Sequence, residues 1–90
     1  MMNPEEKLAE LGFTLPTPPP AGGSYVPTVR TGNLLYCSGT VCMIDGKMTH
    51  TGQVGDKHTV ESAMKAAEIC ALNTLANIKA AVGSLDQIAR

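Results

Sequence analysis

Residues 59–82 constrain this chain more than any other stretch. Ala63, Ala67, Cys70, Ala71, Leu75, Ile78 and Val82 recur there at helical spacing, the pattern of one long helix with a single buried stripe. Thr59 can cap it, Glu61 and Lys65 form an i,i+4 pair in the better orientation, and Gly83 is placed to end it. Glu61, Lys65, Glu68 and Lys79 line the opposite face, interrupted by Leu72, and a small apolar flank of Ile69, Ala76 and Ala80 lies between the two. No second long helix exists to cover that flank. The helix must therefore lay its stripe on a small sheet, which makes the chain α+β.

Residues 25–39 supply the start of that sheet. β-Branched and aromatic residues dominate two short arms joined at Thr31-Gly32-Asn33, where Gly and Asn offer the positive-φ positions of a tight hairpin. The second arm continues through Ser38-Gly39 into Thr40, Val41, Cys42 and Met43. Alternation then sets Leu35, Cys37, Gly39, Val41 and Met43 on a face meeting the helix, with Tyr36, Ser38, Thr40 and Cys42 on a polar face. Asp45-Gly46 is a second hairpin signal, so a third strand should return over residues 47–51, giving a three-stranded antiparallel β-meander. Tyr25, Arg30 and Ser38 sit on one rigid platform, with Gly39 allowing close approach beside them, an arrangement that reads as a ligand-binding wall.

Ahead of this body, residues 3–12 read as a short helix: Asn3 caps it, Pro4 fits its first position, Glu5 and Glu6 favour its positive end and Gly12 stops it. Residues 16–23 are a proline-rich, glycine-ended spacer with a polyproline II bias. The organisation expected is a leading helix and spacer over residues 1–24, followed by one domain over residues 25–90. Ninety residues bury proportionally little surface, so a unit of this size is only marginally stable by itself.

The formal net charge of −1 and the absence of a basic block argue against phosphate-neutralising nucleic-acid binding. Phe13, Tyr25 and Tyr36, the aromatic residues present, are few platforms for stacking bases. No apolar run is long enough for a membrane span. Cys37, Cys42 and Cys70 lack metal or redox spacing and read as reduced thiols in a cytoplasmic protein. His50 and His58 read as loop histidines, and no metal or cofactor is expected.

One stretch also carries a resemblance. The run Gly23-x-Tyr25-x-x-x-Val29-Arg30-x-Gly32-Asn33-Leu34-Leu35-Tyr36-x-Ser38-Gly39 resembles the RidA/YjgF family, more closely its YjgF/chorismate mutase-like putative endoribonuclease branch. It continues more loosely at Leu72-Asn73 and over residues 83–86. The resemblance implies a YjgF/chorismate mutase-like fold, represented here by its N-terminal part, and a trimer with ligand clefts between subunits. It implies a deaminase, a hydrolase acting on small enamine and imine intermediates, with an imino acid or other small carboxylate as ligand. A non-catalytic ligand-binding or subunit-interaction module and an endoribonuclease are the rival readings. Tyr25 is the candidate catalytic hydroxyl, and Tyr25, Ser38, Gly39 and Arg30 are the candidate ligand-binding residues. The family's carboxylate-gripping arginine belongs to its C-terminal half; Arg30 and Arg90 do not match that motif.

Overall fold

A computed structural model describes residues 2–90. Helix α1 spans Pro4–Glu10 and helix α2 Val60–Val82; strands β1 (Thr28–Thr31), β2 (Leu34–Cys37), β3 (Met43–Ile44) and β4 (Lys47–Met48) lie between them, and a 3₁₀ turn, Leu85–Gln87, closes the chain. Both helices start as their sequences dictate. The Asn3 side chain accepts from the Glu6 N–H at 2.8 Å, and Thr59 and Ser62 form a reciprocal capping box. Gly83, at φ +90°, terminates α2 in a conformation that disfavours a side chain. Where Glu61–Lys65 pairing was expected, Lys65 instead lies 3.7 Å from Glu68.

The sheet is α+β in kind but divided. β1 pairs antiparallel with β2, Thr28 opposite Cys37 and Thr31 opposite Leu34; β3 pairs separately with β4. The second arm does not run unbroken into Met43, and the third strand covers only Lys47–Met48 rather than residues 47–51. Gly32 takes φ +56° in the first turn while Asn33 stays at negative φ, so glycine alone bears the left-handed position there. Asp45 (φ +52°) and Gly46 (φ +80°) carry both left-handed positions of the second turn.

The break at residues 38–42 inverts the expected faces. Thr40 Oγ1 lies 2.9 Å from the Cys70 carbonyl and 2.8 Å from Thr74 Oγ1, and Cys42 is buried while Val41 is exposed. An irregular segment shifts the alternation at Thr40, Val41 and Cys42, and the expected sense returns in β3, where Met43 is half-buried and Ile44 exposed.

The stripe of α2 is rotated as well. Ala67 and Ala71 are exposed and Leu75 and Ile78 half-buried, whereas the helix buries Asn73, Ala76 and Asn77. The stripe expected from apolar periodicity contains neither asparagine. Asn73, 1 % exposed, is satisfied by donating to the carbonyls of Val41 (3.0 Å) and Met43 (2.9 Å), which pins β3 to α2. Burial of a polar side chain is tolerated because those hydrogen bonds are made.

Helix α1 packs against the 3₁₀ turn, where Glu5 Oε1 accepts from the buried Leu85 N–H at 3.0 Å. Among the described residues, no helix is long and apolar enough to cross a membrane.

Candidate functional site

Proline fixes the approach to the site. The proline run leads into a bend at residues 22–25, where the Gly22 N–H donates to the Tyr25 hydroxyl at 3.2 Å and the Tyr25 N–H to the Gly23 carbonyl at 3.0 Å. Tyr25 thus curls back over its own approach instead of entering β1. On the facing side, Ser38 closes the hairpin, its N–H (2.9 Å) and its hydroxyl (3.2 Å) both donating to the Pro27 carbonyl.

These segments bound a cavity of about 240 Å³ lined by Tyr25, Ser38, Gly39, Thr40, Met43 and Asn77 together with the end of the proline run. Three of the four site residues expected from sequence therefore meet in one place. A Cβ built on Gly39 would meet nothing within 4 Å, so its backbone borders open space.

Arg30 is not among them. It stands opposite Leu35 in the register, and the two line a separate groove that also holds Cys37, Ile78 and Arg90. The Arg30 Nε donates to the Gly32 carbonyl at 3.2 Å within its own turn. Alternation along β1 is the reason: Tyr25 precedes the strand, and the face that Arg30 shares with Leu35 leads towards the end of α2.

Among the described residues, no charged side chain lines the Tyr25 cavity. Hydrogen bonding is what it offers: the Tyr25 and Ser38 hydroxyls, the backbone beside Gly39 and the Asn77 carboxamide. Such groups can orient a small polar ligand but do not replace a guanidinium for holding a carboxylate. Asn77 was absent from the sequence-derived site. The signal that could have found it was a second asparagine one helical turn after Asn73, on a stretch otherwise rich in apolar residues.

Behind the site, Cys42 and Cys70 stand close together. Burial first, and then the neighbouring Cys42 thiol, push the Cys70 thiol above the ordinary thiol range. All three cysteines are free. The His50 and His58 rings lie 5.4 Å apart, with His58 Nε2 at 2.7 Å from the Thr51 carbonyl. Among the described residues, no cluster of three or more His, Cys, Asp and Glu side chains is placed to hold a metal.

This hairpin, helix and cavity define a YjgF-type domain. Residues 5–90 match the family described as YjgF/chorismate mutase-like, putative endoribonuclease, and the chain belongs to it. Among solved structures, it is similar to a putative endoribonuclease from Shewanella oneidensis MR-1, with a TM-score of 0.93, 34 % identity, and coverage of 99 % of this chain and 59 % of that one. It is also 51 % identical to the protein Atu1372 of unknown function from Agrobacterium tumefaciens, with a TM-score of 0.73 over 88 % of this chain and 46 % of that one. A curated relative, Protein TCP17 of Trypanosoma cruzi, is 36 % identical over 83 residues, 92 % of this chain and 52 % of its own length. The chain spans about half the length of the relatives it matches.

Proposed function

We propose that this chain forms the ligand-binding wall of a RidA-like protein acting on small reactive enamine and imine intermediates released from amino acids. The observation that carries this reading is the meeting of Tyr25, Ser38 and Gly39 on one small, charge-free cavity. Its volume lies below the roughly 300–1,000 Å³ of pockets that take drug-sized molecules, which suits a ligand of a few carbon atoms.

Imine hydrolysis adds water across C=N, moves a proton to nitrogen and then expels ammonia. It requires a positioned water, a group that moves protons and a cation for the substrate carboxylate. The Tyr25 hydroxyl is our candidate for hydrogen bonding at the imine nitrogen, with Ser38 and the Gly39 backbone fixing the rest of the ligand. The cation has to come from outside this lining, from another subunit or another segment. We assign the protein to a trimer and to the cytoplasm; the exposed Val29, Leu34 and Tyr36 on one hairpin face support an interface between subunits, and three free thiols suit a reducing compartment.

Two rivals have their own support. A binding module without turnover fits a cavity that lacks a cation. An endoribonuclease fits the family's description and that of the Shewanella relative, but a net charge of −1 gives RNA little to bind. The deciding assay follows the loss of freshly generated 2-iminobutanoate, with and without protein. Acceleration that Tyr25→Phe diminishes supports deamination. Ligand affinity sensitive to Tyr25 and Ser38, with no turnover even when an arginine-bearing subunit is supplied, supports the binding module. RNA cleavage with steep salt dependence and no effect on imines supports the endoribonuclease.

A further inference from the structure

Two asparagines sit one turn apart on the buried side of α2 and are treated differently. Asn73 donates both carboxamide hydrogens to the carbonyls of Val41 and Met43. Asn77, only 7 % exposed, makes no side-chain hydrogen bond among the described residues, yet no fully buried side-chain nitrogen or oxygen among them lacks a partner. The Asn77 carboxamide therefore reaches open space, and the space it lines is the Tyr25 cavity.

Its neighbours in that lining are each partly engaged. Ser38 Oγ donates to Pro27, Thr40 Oγ1 is held between Cys70 and Thr74, and the Tyr25 oxygen accepts from Gly22. Among the described residues the Asn77 carboxamide is given no protein partner for either its donors or its acceptor, and Tyr25 keeps its O–H donor beside it. A carboxamide matches a planar group that offers a donor and an acceptor side by side.

We propose that Asn77 is the specificity residue of this cavity, its Oδ1 accepting the N–H of a 2-imino acid while its Nδ2 donates to an oxygen of the adjacent carboxylate. This assignment rests on the imine-binding reading of the cavity and adds how nitrogen is told from oxygen there. A 2-oxo acid has no N–H for Oδ1, so the cavity prefers the imine over the ketone it becomes, which also assists product release.

Oxamate is a stable probe that carries an amide N–H beside a carboxylate, and pyruvate, with a methyl group in place of that NH₂, is its counterpart of the same shape that offers no N–H. Binding of both to the ninety-residue chain is measured by NMR titration, following the Asn77 side-chain NH₂ signals in the wild type as well as the affinities of Asn77→Asp and Asn77→Ser. Tighter binding of oxamate than pyruvate is expected, with the Asn77 NH₂ signals shifting on saturation. Asn77→Asp should weaken oxamate about 10-fold or more, since two acceptors then face the ligand. Should Asn77→Asp not fold, the wild-type NH₂ shift decides alone. Oxamate binding that moves cavity signals but neither shifts the Asn77 NH₂ nor discriminates against pyruvate overturns the role of Asn77 and leaves the cavity reading standing. Absence of any saturable binding by either probe overturns both.

Discussion

Glu5, in the first turn of α1, accepts a hydrogen bond at 3.0 Å from the backbone N–H of Leu85, eighty positions further along the chain. Lys79 Nζ approaches the same carboxylate oxygen at 3.7 Å. Because Leu85 is buried, its N–H has no water to fall back on, and the leading helix is tied to the end of α2 through this one oxygen. The ion pair with Lys79 is partly exposed and adds little.

Glu5→Ala should accordingly lower stability by about 1–2 kcal/mol, the cost of an orphaned buried donor. Glu5→Gln keeps an acceptor and should cost clearly less. Denaturant melts of the two variants check this, and equal losses would mean that charge rather than hydrogen bonding carries the contact.

A larger effect is expected at Asn73, which joins β3 to α2 through two carbonyls. Asn73→Leu is close in volume but leaves both carbonyls without their donor, so a loss of about 2–3 kcal/mol is expected. In so short a chain that is a large share of the total. Thermal unfolding followed by circular dichroism measures it.

The helix limits, both caps and both hairpin turns were legible in the sequence because each rests on local chemistry: Asn3, Thr59, Gly83, Gly32 and Asp45-Gly46 act within a few residues of themselves. The faces were not. Which side of α2 is buried depends on whether Asn73 finds acceptors in residues 41 and 43, and no helical periodicity contains that information. The position of Arg30 failed for a related reason. Its distance in sequence from Tyr25 and Ser38 is short, but strand alternation and the bend at residues 22–25 turn it to another groove. Tyr25, Ser38 and Gly39 were found together because the Pro27 carbonyl, held by both Ser38 donors, brings the two ends of the hairpin against each other.

Stability should fall at high pH through Cys70. Its thiol is raised in the folded protein, by burial and by the Cys42 thiol beside it. The folded state then holds that proton more tightly than the unfolded chain does. The contribution is complete below the unfolded value and is lost as pH rises from there through the higher folded value. Chemical denaturation across the alkaline range should show this decline, and Cys70→Ala should flatten it; an unchanged slope in that variant would place the decline elsewhere.

Val29, Leu34 and Tyr36 share the outer face of the first hairpin and are 55 %, 59 % and 60 % exposed. Sedimentation should therefore show concentration-dependent association of the chain, and Tyr36→Lys should shift it towards the monomer without unfolding it. A wild type that stays monomeric at high concentration would remove this face from the proposed trimer.

The central claim is that small imino-acid-type ligands settle against Tyr25, Ser38 and Gly39 rather than in the groove of Arg30 and Arg90. Backbone amide mapping by NMR during titration with 2-oxobutanoate, the stable product of such an imine, tests it most directly. Saturable shifts concentrated at Gly22, Tyr25, Ser38, Gly39 and Thr40, and reduced by Tyr25→Phe, are the predicted result. Shifts confined to Arg30, Asn33 and Arg90, with the cavity signals unmoved, would contradict it.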